Sequence, residues 1–215
     1  PLAISKLIAA RRVHGKNQDV QRVFKAGLLF GLVAGGLMTL FLLFGADWIT
    51  VHIFNSPNSA LPLKVMAPTI LVFSIMGVVR GYFQGLGNMV PTSISQVIEQ
   101  VVNAVISVAA SFAFMHWFAN RETPAAYGAA GGTLGTLSGA LAAFVFLTLL
   151  MFVYRRQNTK ALRKPQADRL ESWSHVYTAL FLTLTPIILS QFVYQLSGSV
   201  DNSMFGFLMS EKGLT

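Results

Sequence analysis

The sequence predicts an all-α fold: a polytopic membrane bundle of about five full transmembrane helices, preceded by the end of another helix. Charged residues make up 11% of the 215 residues and hydrophobic residues 53%, whereas soluble domains carry roughly 25% charged residues. A helix needs about 20 apolar residues to cross a hydrocarbon core of roughly 30 Å. Four segments reach that length without any Asp, Glu, Lys or Arg, namely 26–46, 100–120, 123–154 and 172–200.

The predicted elements alternate between apolar spans and polar connections. Residues 1–10 form the end of a helix, and the polar segment 11–21 is predicted to link it to the first span. Asn55-Ser-Pro-Asn58 is a turn signal before the second span, and Pro91 suits the first turn of the third. The predicted spans are 24–46, 61–85, 92–118, 127–154 and 175–209. The last of these exceeds one crossing, so we expect a tilt, or a bend near Pro186 and Gly198.

Basic residues set the expected orientation, because short loops rich in Lys and Arg stay on the cytoplasmic side. Two segments are rich in these residues, whereas the loops on the opposite side hold only Lys64 and Arg121. Both basic segments and the turn at 85–91 are therefore predicted to face the cytoplasm. The basic residues are Lys6, Arg11, Arg12, Lys16, Arg22 and Lys25 in the first segment, and Arg155, Arg156, Lys160, Arg163, Lys164 and Arg169 in the second.

Glu99 is a carboxylate inside a run that is otherwise apolar enough to span a bilayer. A carboxylate is costly in hydrocarbon unless it loses its charge, so such a residue normally faces protein or a wet cavity. In an antiparallel hairpin of spans two and three, position i lies opposite about 177 − i. Arg80 then lies opposite Val97, within one turn of Gln96 and Glu99. We predict a buried ion pair that either pins the hairpin or lines a hydrated path for charged cargo.

Two further patterns lie on the third and fourth spans. Gln96, Glu99, Gln100, Asn103 and Ser107 fall at helical spacing, so we expect them to share one stripe that is shielded from lipid. On the fourth span, glycines recur four residues apart, which allows close approach of a second helix backbone in a membrane. The run predicts tight packing within the chain or with a copy, and its glycines are Gly131, Gly135 and Gly139.

The fifth span carries polar residues around Gly198. Transporters build substrate sites from interrupted helices, and unwound backbone at membrane depth must face protein or water. We therefore expect a helix break at Gly198 and a polar site beside it. The alternative is that Asp201 already lies in the outer headgroup region. The polar residues are Gln191, Gln195, Ser197, Ser199, Asp201 and Asn202.

Composition and motifs argue against several other classes. The chain has no cysteine, which excludes disulfides and thiolate metal sites. Its net charge of +8 is attributed to topology and anionic inner-leaflet lipids rather than to nucleic acid. No metal site, cofactor or catalytic set is expected, since the phosphate-loop and hydrolase motifs are absent. His14 and Asp19 match the H-x-x-x-x-D pattern of glycerolipid acyltransferases, but no companion motif accompanies them.

The chain is expected to be a fragment, because it starts at Pro1 without an initiator Met and in the middle of a helix. Four stretches resemble the stage V sporulation protein B-like branch of the MurJ/MviN family, within the multidrug/oligosaccharidyl-lipid/polysaccharide exporter superfamily. The resemblance extends over essentially the whole chain and is most specific across 81–100. The four stretches are Pro1-Leu-Ala-Ile-Ser-Lys6, the basic linker ending in Arg22-Val-Phe24, Gly81-Tyr-Phe-Gln-Gly-Leu-Gly-Asn-Met-Val-Pro-Thr92 and Ser95-Gln-Val-Ile-Glu-Gln100.

The resemblance implies a MATE/MurJ-like fold with about fourteen transmembrane helices in two lobes around a central cavity. On that comparison, residues 1–154 run from the end of the second helix to the sixth, in the N-terminal lobe. Residues 155–174 would be the cytoplasmic linker between the lobes, and 175–215 the seventh helix, which opens the C-terminal lobe. The positions nearest the cavity would be Ser5, Lys6, Gln191, Gln195, Asp201 and Asn202.

The function implied by the resemblance is a flippase for a lipid-linked cell-wall precursor, lipid II or a related polyprenyl-linked oligosaccharide. It would work by alternating access in the bacterial cytoplasmic membrane, with the full-length chain acting as a monomer. Membrane potential or a coupled ion would drive it, with Glu99 or Asp201 as the titrating group.

Three alternatives stay open. A cation-coupled multidrug or polysaccharide exporter of the same superfamily is the nearest of them. A membrane-embedded acyl- or glycosyltransferase would need His14 and Asp19. A non-transporting scaffold that recruits cell-wall enzymes would tolerate loss of Arg80 and Glu99.

Overall fold

A computed structural model describes residues 1–52, 59–119, 123–157 and 170–211; within its last helix, side chains are described as far as Gly198 and at Met204. This part of the chain holds six α-helices and no strand. In chain order the helices are α1 Leu2–Val13, α2 Asn17–His52, α3 Ala60–Gly85, α4 Val90–Trp117, α5 Pro124–Gln157 and α6 Trp173–Glu211.

Five of these helices, α2 to α6, are long and apolar enough to cross a membrane. Their exposed surface is rich in large apolar side chains, as on the outer face of α4, where Val101, Val105, Val108 and Phe112 are all exposed. Such a surface is stable in lipid but not in water. The prediction of an all-α, polytopic membrane bundle is therefore confirmed, and the protein is a multi-pass membrane protein.

The helices extend beyond the predicted spans into polar sequence. The predicted linker 11–21 is helical except around Gly15, whose φ of +69° lies in the left-handed region that glycine favours. Likewise, α2 continues to His52 through the start of the predicted loop 47–60. Its 36 residues measure about 54 Å at 1.5 Å per residue, more than a bilayer core requires. Apolar length defines the part of a helix in lipid, whereas the helix itself continues into water.

The expected break at Gly198 is wrong, because α6 is a continuous helix of 39 residues that includes Pro186, Gly198 and the expected site position Asp201. Glycine in a helix interior costs only about 1 kcal/mol relative to alanine. A long, apolar helix tolerates that cost when nothing nearby favours unwinding.

The chain divides into two compact units, Pro1–Glu171 and Ser172–Thr215. In the first unit α3 is central, since it packs against α1, α2 and α5, while α5 also packs along α4. Small residues bring α1 and α3 together: a Cβ added at Gly81 or Gly85 would lie within 3 Å of Ile4 or Ile8, respectively. The second unit consists of α6 and the residues around it, and the Ser172 hydroxyl accepts a hydrogen bond from the His175 N–H at 3.2 Å.

Two hydroxyl groups join α2 to α3. The Thr39 Oγ1 donates to the Ala67 carbonyl at 3.1 Å, and the Ser74 Oγ donates to the Gly31 carbonyl at 2.8 Å. Each hydroxyl therefore bonds a backbone carbonyl of the opposite helix. Such bonds satisfy polar groups that lipid cannot.

The predicted tight packing of the glycine run is confirmed, and its partner is α4 of the same chain. A Cβ added at Gly131, Gly135 or Gly139 would collide with the backbone of Ala110, Ser107 or Glu99, in that order. The α4 and α5 backbones are thus in direct contact over two successive four-residue steps of α5.

Candidate functional site

Arg80 and Glu99 form an ion pair between α3 and α4, here called the hairpin pair. Arg80 Nη2 lies 2.8 Å from Glu99 Oε2, and Arg80 Nε donates to Ser95 Oγ at 2.9 Å. Ser95 is fully buried, and its hydroxyl also donates to the Thr92 carbonyl at 2.7 Å. The guanidinium therefore has a charged partner and a neutral partner on successive turns of one helix.

A tight turn between α3 and α4 positions the hairpin pair. Gly87 has a φ of +75°, a left-handed value that favours glycine, and the Asn88 N–H donates to the Phe83 carbonyl at 3.0 Å. Pro91 stands at the start of α4, where its missing N–H costs nothing. The antiparallel hairpin then brings Arg80 to the face of α4 that carries Ser95 and Glu99, as the sequence predicts.

The polar surface continues along α4 towards its other end. The Ser107 hydroxyl donates to Asn103 Oδ1 and also lies within hydrogen-bond distance of the Gly132 carbonyl of α5, at 2.8 Å in both cases. The hydrogen bonds of these residues join them to one another and to backbone carbonyls of α4 and α5. We call the whole set the polar seam, and its members are Arg80, Ser95, Glu99, Asn103 and Ser107.

Gln96 and Gln100, predicted to be buried in the same stripe, are exposed. Gln100 follows Glu99 by one residue, which turns its side chain by about 100° around the helix. The contacts made by α3 and α5 centre on Ser95, Glu99 and Asn103. Helical spacing placed the two glutamines on the edge of the stripe, and neither α3 nor α5 covers that edge.

The remaining predicted site residues belong to both units. In the first unit Ser5 is half-buried and its hydroxyl donates to the Leu2 carbonyl at 2.9 Å, while Lys6 is exposed. In the second unit Gln191 and Gln195 are exposed on α6. Asp201 and Asn202 lie on α6 as well, but their side chains fall outside the described residues.

A second set of charged residues, which the sequence analysis missed, surrounds Glu171. Arg11 Nη2 and Nε lie 2.6 and 3.1 Å from Glu171 Oε2. The Glu171 N–H donates to Asp19 Oδ1 at 3.1 Å, and Arg22 Nη1 donates to the Glu171 carbonyl. These four residues form the Glu171 clamp. Their only signal in the sequence is charge in polar segments, which is normal for solvated loops.

An aromatic cluster lies next to the clamp at the same end of the bundle. The Tyr82 hydroxyl accepts a hydrogen bond from Gln21 Nε2 at 3.0 Å. The Tyr82 ring packs 4.7 Å from Phe24 and 6.3 Å from Tyr154, measured between ring centroids. The Arg155 guanidinium lies 5.2 Å from the Phe24 ring centroid, a cation–π distance. The ends of α2, α3 and α5 are thereby tied together.

The acyltransferase pattern in the sequence makes Asp19 the carboxylate partner of His14. In the structure Asp19 is fully buried and accepts the Glu171 N–H, while His14 is exposed. Over the four described stretches, no group of three or more His, Asp and Glu side chains is arranged to hold a metal ion. Asp19 is therefore engaged in a structural contact with Glu171 and does not face His14.

These features define a class: multi-pass membrane helix bundles with hydrogen-bonded, ionised side chains between their spans. Comparison with known proteins names the family. The chain belongs to the polysaccharide biosynthesis protein family, whose model matches residues 1–214. The resemblance noted from the sequence is thereby confirmed at the level of the family.

Curated relatives come from Bacillus subtilis strain 168. The chain is 29% identical to stage V sporulation protein B over 92% of its length, and 26% identical to the lipid II flippase MurJ over 99%. An uncharacterized membrane protein, YabM, is 30% identical over 74% of the chain. The matches span 36%, 40% and 28% of those three proteins, so the chain corresponds to less than half of each. No solved structure matches the chain significantly.

Proposed function

We propose that this chain is part of a flippase that moves a lipid-linked cell-wall precursor across the bacterial cytoplasmic membrane by alternating access. The cargo would be lipid II or a related polyprenyl-linked oligosaccharide. One observation carries the proposal: 99% of the chain aligns with a relative named for lipid II flipping. The family description, polysaccharide biosynthesis, agrees with a carbohydrate-bearing cargo, and the proposed activity is transport rather than an enzymatic reaction.

The physical requirement for such a flippase is a polar route for the headgroup while the polyprenyl tail stays in lipid. The polar seam supports this role, because it keeps ionised and hydrogen-bonding groups between spans in an otherwise apolar bundle. The proposal assigns 1–154 to an N-terminal lobe, 155–174 to the inter-lobe linker and 175–215 to the first helix of the other lobe. Cavity-lining roles are proposed for Ser5, Lys6, Gln191, Gln195, Asp201 and Asn202.

The direct test uses the full-length protein reconstituted in vesicles with a fluorescent lipid-linked oligosaccharide. A membrane-impermeant quencher should reach label from the inner leaflet at a rate that depends on the protein. Protein-free vesicles, and vesicles with an unrelated multi-pass protein, are the controls. A rate equal to these controls, for a folded protein, would contradict the proposal.

The driving force is proposed to be a coupled ion or membrane potential, with Glu99 or Asp201 as the group that responds. In the structure Glu99 is paired with Arg80, which makes it the better-defined of the two acids. Glu99→Gln and Asp201→Asn, alone and combined, should reduce the dependence of flipping on an imposed ion gradient or potential. An unchanged dependence in the double variant would remove both acids from coupling.

The broader family description favours one second candidate, a cation-coupled exporter of drugs or polysaccharides. An exporter should bind amphipathic cations at a site for which lipid II does not compete. Competition between a fluorescent amphipathic cation and lipid II in the same vesicles therefore separates the two functions. Displacement of the cation by lipid II supports the flippase.

A further inference from the structure

The Glu171 clamp holds one residue by its side chain and by both polar groups of its backbone. Arg11 binds the carboxylate, Asp19 accepts the N–H, and Arg22 donates to the carbonyl. All three partners lie in α1 and the first turns of α2. The end of α1 and the start of α2, here called the α1–α2 corner, therefore bind the chain at one residue, Glu171.

Two of the clamp residues are buried, and the charges of all four balance. Asp19 is fully buried, and Arg11 is only 7% exposed although it lies in a polar stretch. Arg11 also donates to the Leu7 carbonyl at 3.1 Å, which fixes its guanidinium on α1. The formal charges of the two arginines and two carboxylates cancel, so the clamp is neutral as a whole.

Glu171 lies at the boundary between the two compact units of the chain. Glu171 is the last residue of the first compact unit, and Ser172 opens the second. Hinges in proteins are commonly a few loop or helix-terminal residues that absorb a change in backbone angles. The clamp fixes the chain directly before such a boundary, while Leu170 and Ser172 on either side are exposed.

The contacts also differ in kind from those that hold the α4–α5 pair. There, glycines allow backbone contact that can only be broken along the whole interface at once. In the clamp, a few hydrogen bonds join side chains to one residue, so departure of Glu171 would break them together and expose their groups to water, which can then replace the lost partners. The clamp can therefore open without disturbing the packing of the bundle.

We propose that the Glu171 clamp is a releasable latch, closed in one state of the transport cycle and open in another. When closed, it holds the chain that leads into α6 on the α1–α2 corner. The proposal rests on the proposed alternating-access function, in which the two lobes must change their relative position. Arg11, Asp19 and Arg22 are positioning residues in this scheme and make no contact with cargo.

Spin-label distances in the full-length protein test the latch. Labels are attached at Val13 and Leu170, which are exposed and lie next to the clamp without belonging to it, after any cysteines in the rest of the full-length protein are replaced. In lipid nanodiscs we expect a short and a long distance. Glu171→Gln should raise the ratio of long to short roughly ten-fold, since it removes a charge-assisted bond. Arg11→Lys, which keeps the charge but loses the two-pronged contact, should give a smaller rise.

A matched label pair controls for loss of the fold. Val101 on α4 and Leu141 on α5 are both exposed, on helices that the glycines hold together. This pair should give one distance in every variant. If Glu171→Gln broadens the distance between positions 101 and 141, its fold is disturbed, and the latch is then judged from the milder Arg11→Lys variant. A single, unchanged distance between positions 13 and 170 in the wild type and in the deciding variant would overturn the latch.

Locking the same two positions gives an independent readout. A reducible thiol-reactive crosslinker between cysteines at 13 and 170 should stop flipping, and reduction should restore it; the same crosslink between 101 and 141 should not. Flipping that continues in fully crosslinked protein would overturn the latch and leave the proposed function intact. Two distances in a protein that moves no lipid-linked substrate would support the latch and contradict the proposed function.

Discussion

The hairpin pair and the Glu171 clamp each contain a close arginine–glutamate contact, yet they differ in what surrounds it. Their N–O distances are 2.8 and 2.6 Å, and all four side chains are less than one-fifth exposed. The hairpin pair joins residues 19 positions apart inside two membrane spans, whereas the clamp joins residues 160 positions apart at helix ends. The hairpin pair lies between apolar spans, whereas the clamp lies in polar segments at helix ends, where water is closer at hand to replace a lost partner.

The sharpest test of this contrast removes one member of the hairpin pair. Arg80→Met leaves Glu99 without its charged partner between two spans, and we expect a loss of about 3–5 kcal/mol in the free energy of unfolding. Denaturation of the full-length protein in mild detergent would measure it. Arg80→Met combined with Glu99→Leu should recover most of the loss, because an apolar pair needs no partner. If the free energy of unfolding of Arg80→Met lay within about 1 kcal/mol of the wild-type value, the hairpin pair would behave like an exposed ion pair, and the contrast with the clamp would be contradicted.

Helix α5 packs against the backbone of α4 at Glu99. A Cβ at Gly139 would lie 2.5 Å from the Glu99 carbonyl oxygen, so Gly139→Ala must push α4 and α5 apart. We expect a cost of about 1–3 kcal/mol in unfolding free energy. Gly132→Ala is the matched control, because a Cβ there meets no atom within 4 Å and alanine favours the helix. Equal effects of the two substitutions would show that close packing is unimportant here.

A smaller effect is expected at the clamp. Glu171→Gln keeps the backbone bonds to Asp19 and Arg22 and loses only the charge, so we expect about 1–1.5 kcal/mol. The loss should shrink at high salt, since this pair lies near water. Unfolding measured at low and high salt gives both values. A cost as large as that of Arg80→Met would remove the distinction between the two pairs.

The smallest effect is expected at the most exposed of the three ion pairs. Lys64 Nζ lies 2.8 Å from Asp47 Oδ2, and these side chains are 40% and 68% exposed. Exposed ion pairs contribute little, so Lys64→Ala should change the free energy of unfolding by at most about 0.5 kcal/mol. Thermal unfolding of the same preparations would detect anything larger. If Lys64→Ala lowered the free energy of unfolding more than Glu171→Gln does, the exposure of an ion pair would not determine its contribution to stability.

The two arginine–glutamate pairs also show how far the sequence can predict such a site. Arg80 and Glu99 flank a short turn, so helix rise alone brings them together. The four-residue spacing of the glycine run likewise predicts close helix packing. It does not predict which helix is the partner. Arg11 and Glu171 meet only because α1, α2 and the end of the linker converge, and no local pattern encodes that.

The errors have physical causes as well. Gln96 and Gln100 share the spacing of the stripe, but burial depends on where neighbouring helices end their contact. Gly198 permits a break without requiring one, and α6 continues through it. Hydropathy marks the apolar core of each span and says little about helical turns in water, which is why α2 is longer than predicted.

The hydroxyls of Thr39 and Ser74 have a consequence for how α2 can move. Thr39 Oγ1 donates to the Ala67 carbonyl at 3.1 Å, and Ser74 Oγ lies 2.8 Å from the Gly31 carbonyl of α2 and 2.9 Å from the Leu71 carbonyl of its own helix. Sliding α2 along its axis by one residue, about 1.5 Å, would change the geometry of both bonds at the same time. The two hydroxyls therefore favour one longitudinal position of α2 against α3, and a change in that position would require both to find new acceptors.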